Sequence, residues 1–281
     1  MAEHRPAAGS AAPPADHGAA GGRPPGRSRR GGAHDAGAMV WRSVRLSARH
    51  GEALLMALVL PVLLLVVFVY LFGGAIRTGT AAYVDFVVPG VLVMCAGFVS
   101  GATAVGVTQD LATGMMDRLR SMDVGGAAVL SGHVAASAVR TAVMAAVLVA
   151  VAVLVGFRPV ADPVAWVAAA GVLGAYALAL SWLAAAFGLL ARTPEGAGGF
   201  QFVVMFVPYL SSGFVPIDTM PRWLRPVAAH QPVTPVIEAV RDLLVHGRFG
   251  AALAAALGWS AVIALASVGL ATVLFRRRTA G

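Results

Sequence analysis

Six long apolar runs, separated by shorter polar segments, dominate the chain from residue 53 onward. They cover residues 53–72, 86–107, 134–155, 166–189, 200–215 and 251–275. A helix needs about 20 apolar residues to cross a hydrocarbon core of about 30 Å, and all the runs except the fifth provide them. Runs of this length with so little charge are not ordinary core helices. The pattern predicts an all-α, polytopic membrane protein with six transmembrane helices.

The fifth run has 16 residues, which is about 24 Å of helix. It also contains Pro208. Either its helix begins earlier, in the glycine-rich residues 196–199, or the helix is thin and broken. Pro61 and Pro89 lie in the first two runs, where neighbouring helices can satisfy the freed carbonyl groups.

The first 38 residues differ from the rest in composition. They are rich in Ala, Gly, Pro and Arg and contain no Leu, Ile, Val, Phe, Trp or Tyr. Such a segment cannot bury enough apolar surface to order itself, so we predict a disordered tail. Met39 directly precedes the first patterned sequence and is a hypothetical start, which leaves residues 39–281 as the transmembrane domain.

Residues 40–50 have the pattern of a helix that lies on a membrane. Trp41 falls on one side, while Arg42, Arg45 and Arg49 recur on another. An indole at the headgroup level with arginines toward phosphate is typical of interfacial helices. The alternative is a solvated linker.

Composition narrows the class of protein. The chain is 58% hydrophobic and 12% charged, whereas soluble domains have about 25% charged residues. All 21 basic residues are arginine. Because a phosphate-binding P-loop needs a lysine, any ATP that drives this protein must bind to another chain. The net charge is +8, and the basic residues cluster beside apolar segments. This position favours anionic lipid over nucleic acid as their binding partner.

Arginine also predicts the orientation. With both termini in the cytoplasm, the inside segments hold 14 arginines and the outside segments hold six. This excess follows the positive-inside rule. We therefore predict a multi-pass protein of the plasma membrane with the segment between the second and third runs in the cytoplasm.

Arg140 and Asp85 are the ionisable residues in or beside the first four runs. For Arg140, snorkelling toward the headgroups or a salt bridge between helices is favoured over a contact with substrate, because both reduce the cost of a charge in the bilayer. Asp85 lies at the outer boundary, where an acid needs no special role.

The segment of residues 110–122 (DLATGMMDRLRSM) is amphipathic when placed on one helix. Leucine, alanine and methionine fill one arc, and the charged residues occupy the remainder. Methionine fits irregular partner surfaces. The polar face carries both signs of charge, whereas a helix on lipid is mostly basic. Docking to a protein partner is favoured over resting on lipid.

This segment, followed by residues 128–133 (AVLSGH) and Arg140, resembles the cytoplasmic loop of ABC-2 type transporter permeases, in particular the branch of daunorubicin/doxorubicin-resistance exporters. Residues 211–244 resemble the external segment of the same family. The resemblance covers about residues 40–278. It implies a bacterial permease without a cofactor or metal. Its expected partners are a separate ATP-binding-cassette ATPase, a second permease copy in a homodimer, the lipid bilayer and a small hydrophobic substrate.

The resemblance also implies that residues 110–122 form the coupling helix that docks on the ATPase. The candidate coupling residues are Asp110, Leu111, Gly114, Met115, Asp117, Arg118, Leu119, Arg120 and Met122. The chain departs from the family pattern at Asp123 and at the Gly125–Gly126 pair, where a proline and a basic residue are usual. Exchange with a related ATPase is therefore doubtful.

Residues 211–244 are the candidate external gate, built from short re-entrant helices between the last two runs. Its candidate residues are Pro216, Pro221, Trp223, Leu224, Pro232, Pro235, Glu238 and Arg241. Glu238, Arg241 and Asp242 are spaced to pair locally on a helix. The alternative is an ordinary extracellular loop.

Other functions have weaker support in the sequence. An enzyme would need convergent His, Asp or Glu residues inside the bundle, and the seven histidines lie outside the apolar runs. A proton-coupled transporter should carry a carboxylate within the membrane. Within the ABC-2 superfamily, export of lipid or of a polysaccharide precursor is the alternative to drug export.

Overall fold

The computed structural model describes residues 51–74, 82–114 and 126–279. These ranges are helical and turn structure, without a strand. The all-α prediction is confirmed for them. The predicted tail of residues 1–38, the hypothetical start at Met39, the interfacial helix of residues 40–50 and residues 115–122 of the coupling segment lie outside the described residues.

The described residues form eight α-helices. They are α1 (Gly51–Val67), α2 (Tyr83–Ala112), α3 (Gly126–Val155), α4 (Pro163–Leu190), α5 (Pro194–Phe206), α6 (Arg225–His230), α7 (Val233–Val245) and α8 (Ala252–Thr279). A π-helical turn, Phe68–Phe72, continues α1. Short 3₁₀ turns follow α5 at Val207–Leu210 and precede α6 at Ile217–Thr219.

Four helices in the described ranges are long and apolar enough to cross a membrane: Tyr83–Ala112, Val129–Val155, Pro163–Leu190 and Ala252–Phe275. They coincide with the second, third, fourth and sixth predicted runs. The first run corresponds to a shorter apolar helix, Ala57–Phe72. The helices extend beyond the apolar runs at several ends, because polar residues can continue a helix after the apolar pattern stops.

The fifth predicted run is not a single helix over residues 200–215. Helix α5 begins earlier, at Pro194, and passes through the glycine-rich residues that the sequence left ambiguous. It ends at Phe206, where a 3₁₀ turn containing Pro208 takes over and a turn over residues 211–214 follows. Both interpretations of this run hold in part, since the helix starts early and is also short.

Two of the helices begin with a capping side chain that directly precedes a proline. The carboxylate of Asp162 accepts a hydrogen bond from the backbone N–H of Ala165 at 2.7 Å, at the start of α4. The hydroxyl of Thr193 accepts one from Gly196 N–H at 3.2 Å, at the start of α5. In both helices proline occupies the first position, where no N–H is needed.

Helix α2 is the central element of the bundle. It packs against α1, α3, α4, α5 and α7, and it is buried over most of its length. Helices α3 and α8 instead expose many apolar side chains, among them Leu154 and Leu265. A helix with apolar residues all round suits a membrane environment. The arrangement places the two ends of α2 at the two ends of the bundle.

Two close backbone approaches hold α2 to its neighbours. A Cβ atom on Gly188 of α4 would lie 2.5 Å from Ala104 O of α2. A Cβ atom on Gly90 of α2 would lie 2.6 Å from Gly213 O in the turn that follows α5. Glycine at these positions allows the backbones to approach closely, as is common between membrane helices.

We expect Gly90→Ala to destabilise the protein by about 1–3 kcal/mol, because the added methyl group overpacks against backbone that cannot move aside easily. Gly174→Ala is the matched control. A Cβ atom at Gly174, on α4, meets nothing within 4 Å. Thermal unfolding in one detergent, followed by tryptophan fluorescence, measures both. Equal melting temperatures for the two variants would contradict the close approach.

Candidate functional site at the two ends of helix α2

The carboxyl end of α2 is tied to the first turns of α3 by one polar pair. Asp110 Oδ2 lies 2.8 Å from His133 Nε2. Both side chains are partly exposed, at 33% and 25% respectively. Gly106, one turn before Asp110, faces the same imidazole. The pair therefore joins the two helices on either side of residues 115–125.

Leu111 lies beside this pair and points into the bundle. It packs against a buried cluster at the same end of the molecule. The cluster consists of Val107, Val129, Leu130, Ala185, Ala186, Leu189 and Ala271. Leu111 therefore contributes to helix packing within the bundle.

Helix α2 ends at Ala112, so the prediction of one continuous helix over residues 110–122 is wrong. Gly114 has a φ of +67°, in the left-handed region that favours glycine. The Thr113 hydroxyl donates back to Gln109 O at 3.0 Å. These contacts satisfy carbonyl groups that a helix end leaves free. A helical pattern cannot show this stop, because Thr and Gly are both tolerated within an amphipathic wheel.

The candidate coupling residues thus divide into two groups. Asp110 and Leu111 belong to the last turn of α2, and Gly114 belongs to the turn that ends it. Met115, Asp117, Arg118, Leu119, Arg120 and Met122 lie outside the described residues. Their role in coupling stays a prediction.

The amino end of α2 is covered by α7, which is amphipathic. Its inner face lies in the main apolar core of the protein. That face consists of Val233, Val236, Ile237, Ala239, Val240, Leu243 and Leu244. Helix α7 also packs on α4 and α8. The predicted helix in the external segment is therefore an integral part of the bundle.

Arg241 is the charged residue on this buried face. Its Nη2 donates to Ser212 O at 2.6 Å and to Phe86 O at 3.1 Å. The guanidinium carbon lies 4.0 Å from the centroid of the Phe86 ring. Burial lowers the pKa of Arg241 to about 10, so the side chain stays protonated at neutral pH. One cation thus connects α7, the first turn of α2 and the turn after α5.

The predicted local pairing of Glu238, Arg241 and Asp242 is not what the structure shows. Asp242 Oδ1 instead accepts from Arg248 at 2.9 and 3.0 Å, in an exposed pair after the end of α7. Arg241 points inward because its position on α7 belongs to the buried face. The spacing predicted that the three charged residues pair with one another, because spacing does not show which face of the helix is buried.

The connection that runs from Leu210 through the turn over residues 211–214 receives two further contacts. The Tyr83 hydroxyl of α2 donates to Phe214 O at 2.9 Å. Gln231 Nε2, between α6 and α7, donates to Leu210 O at 2.6 Å. The turn between α5 and α6 is therefore held from both sides.

The remaining candidate gate residues lie in the connection between this turn and α7. Pro216 O accepts from the backbone and hydroxyl of Thr219. Pro221 precedes a turn that includes Trp223, which is 75% exposed, and Leu224. The helix that follows this turn is the short α6. Pro232 caps α7 and Pro235 lies in its first turn.

The sequence analysis did not predict three contacts of this bundle. It assigned no partner to His133, and it did not single out Tyr83. Asp85, predicted to be peripheral, is buried, and its Oδ1 lies 3.3 Å from the backbone nitrogen of Arg158, which donates to it.

No group of three potential metal ligands occurs among the described residues. At the two ends of α2, polar contacts join the helices and apolar faces pack against each other.

Comparison with known proteins bears on the same two ends. The family profile of ABC-2 type transporters matches residues 35–245, more than half of the 281-residue chain. The chain belongs to the ABC-2 type transporter family. The match includes the segment after α2 and most of the segment that contains α7, so the predicted resemblance is confirmed.

Two curated relatives of this permease come from drug-resistance systems. The daunorubicin resistance ABC transporter permease protein DrrB1 of Streptomyces coeruleorubidus is 29% identical over 212 residues, 75% of each chain. The probable doxorubicin resistance ABC transporter permease protein DrrC of Mycobacterium tuberculosis is 26% identical over 227 residues, which is 79% of this chain and 80% of that protein.

Membership of the family defines the class of protein. The permease is a membrane transport subunit, not an enzyme, and the ATPase of such a transporter is a separate subunit. The absence of lysine from the whole chain agrees with this division, since no P-loop can form.

Proposed function

We propose that this permease forms the membrane half of an ATP-driven exporter of hydrophobic drugs or natural products. The observation that carries the proposal is the Asp110–His133 pair, which joins α2 and α3 on either side of the predicted coupling segment. A force on residues 115–122 would act on both helices together. The names of the two relatives, which describe daunorubicin and doxorubicin resistance, support the class of substrate.

The proposed topology has six crossings with both termini in the bacterial cytoplasm. The four long helices supply four crossings. Helix α1 with its π-helical turn, and α5 with the 3₁₀ turn after it, would supply the other two in a thinner part of the domain. The arginine distribution supports the orientation, which places the Asp110–His133 pair inside and Arg241 outside.

The segment over residues 211–244 is the proposed external gate. Arg241 would hold it closed by connecting α7 to the first turn of α2 and to the turn after α5. ATP binding would close two partner ATPases, and two permease copies in a homodimer would rock and release this contact. The Tyr83 hydrogen bond reaches the same turn and the Gln231 hydrogen bond reaches Leu210 just before it, and both would open with the turn.

Reconstitution with the partner ATPase tests the proposal. The permease and a candidate ATPase are incorporated into vesicles, and uptake of daunorubicin is followed by its fluorescence. We expect uptake that requires ATP and disappears when the ATPase subunit cannot hydrolyse it. Uptake by the permease alone, driven by a proton gradient, would contradict the proposal. ATP-dependent movement of a lipid or a polysaccharide precursor, without uptake of drug, would instead support the alternative substrate class.

A further inference from the structure

Arg140 on α3 is a charged residue that the proposed coupling and gating leave unused. It lies seven residues beyond His133, which is about 10 Å of helix toward the middle of α3. The side chain is partly buried, and its Nε is fully buried without a hydrogen-bond partner. No carboxylate in the described ranges pairs with it. The salt bridge expected from the sequence is therefore not found there.

Hydroxyl groups from three helices meet at Ser137, which precedes Arg140 by three residues on α3. Ser137 has its hydroxyl 2.8 Å from the hydroxyl of Ser181 on α4. Ser181 lies 3.3 Å from the hydroxyl of Ser100 on α2. Helices α2, α3 and α4 are thus joined by polar contacts at this level of the bundle.

Two more hydroxyl groups, one on α3 and one on α2, have no hydrogen-bond partner among the described residues. Thr141, next to Arg140, is 3% exposed, and Thr103, one turn after Ser100, is 1% exposed. The Oγ1 atoms of both are buried without a hydrogen bond. Buried polar atoms in native proteins nearly always have a partner. Together with the Arg140 Nε, they provide hydrogen-bonding capacity that the described residues do not use.

The exposed face of α3 next to Arg140 is apolar. Val143, Val147 and Leu154 follow Arg140 at intervals of 3, 7 and 14 residues, so they continue along the same side of the helix. Their exposed fractions are 50%, 39% and 86%. A cation thus stands at one end of an exposed apolar stripe that leads toward the other end of the helix.

We propose that this part of α3 binds an anionic amphiphile. The guanidinium of Arg140 would bind the oxyanion head, a phosphate or a carboxylate, through paired hydrogen bonds. The apolar body would lie along Val143, Val147 and Leu154. The ligand is either a phospholipid that resides in the protein or an amphiphile that is transported, and only the second source depends on the proposed export function.

Lipid retention by the full-length permease tests the site. Wild type and variants are solubilised from vesicles of phosphatidylglycerol and phosphatidylcholine, and bound lipid is counted by native mass spectrometry. We expect wild type to retain phosphatidylglycerol in at least about tenfold preference, corresponding to about 1.4 kcal/mol. Arg140→Gln should lose the preference, and Arg140→Lys should keep only part of it, because an ammonium group cannot form the paired hydrogen bonds.

Arg192→Gln is the matched control, because Arg192 is an exposed arginine in the connection after α4. It removes the same charge and should leave lipid retention unchanged. A preference that survives in Arg140→Gln, or that falls equally in Arg192→Gln, would overturn the proposal. Tryptophan-fluorescence melting checks that each variant is folded.

A second measurement distinguishes the two sources of the ligand. Vesicles with the permease and its ATPase carry fluorescent phosphatidylglycerol, and dithionite quenching reports its movement between leaflets. Arg140-dependent retention without ATP-dependent movement identifies a resident lipid. Retention with such movement identifies a transported amphiphile. The retention experiment uses no ATP or ATPase, so its failure is separate from a failure of the proposed exporter.

Discussion

Leu119→Asp is expected to abolish transport and to weaken ATPase association roughly 100-fold, a loss of about 2.8 kcal/mol. Leu119 is at the centre of the apolar positions 115, 116, 119 and 122. These four positions still have helical spacing when residues 110–112, which belong to α2, are left out. A carboxylate that must enter an apolar groove loses its hydration without gaining a partner. Co-purification of the ATPase from membranes measures the effect. Asp117→Arg should act in the same direction by reversing a charge.

Ser121→Asp is the control for this substitution. It introduces the same aspartate two residues away, on the polar side of the predicted helix, and should leave both association and transport near those of wild type. Membrane insertion should be equal for all the variants. If the ATPase co-purifies with Leu119→Asp as it does with wild type, residues 115–122 are not the docking surface.

Arg241→Met is expected to lower the free energy of unfolding by about 2 kcal/mol and to let substrate leak through the membrane. The substitution removes hydrogen bonds from a charged group to Ser212 O and Phe86 O, and such bonds contribute about 1.5–3 kcal/mol each. Part of this loss of free energy is offset, because burying methionine does not require the desolvation of a charge, whereas burying arginine does. The leak is expected because α7 would no longer be connected to the first turn of α2.

Arg248→Met is the matched control for Arg241. Arg248 lies three residues after the end of α7, its side chain is 69% exposed, and it pairs with Asp242. Exposed pairs contribute at most about 1 kcal/mol. Melting of both variants in one detergent, and efflux of preloaded drug from vesicles without ATP, measure the two effects. Equal melting and equal efflux would show that Arg241 has no special role in closing the segment.

The helices of the bundle were the most predictable part of the fold. Residues 86–107, 134–155 and 166–189 were predicted as crossings, and each lies within a long helix, because an apolar run of that length has few alternatives to a membrane helix. The run over residues 200–215 was predicted less well. Pro208 broke it as expected, yet the helix before it uses polar and glycine residues from Pro194 onward that carry no apolar signal.

The sequence singled out the candidate site by segment and not by its contacts. The roles of residues 110–122 and 211–244 in coupling and gating stay predictions. The sequence did not show that Gly114 ends α2 or that Asp110 finds His133, since the partner lies 23 residues away in the chain. Arg241 was paired with its neighbours on one helix although its partners come from two other elements.

The sequence by itself determined the class of this protein: a lysine-free membrane chain that cannot form a P-loop of its own. A long apolar segment is stable in the lipid bilayer, and few structures other than a helix satisfy its backbone hydrogen bonds there. The class of protein can therefore be inferred from composition and from the length of the apolar runs. Only the tertiary structure decided which charges are structural. Asp110 with His133, and Arg241 with Ser212 and Phe86, depend on the order in which helices pack, and that order is determined by long-range contacts that no local pattern records.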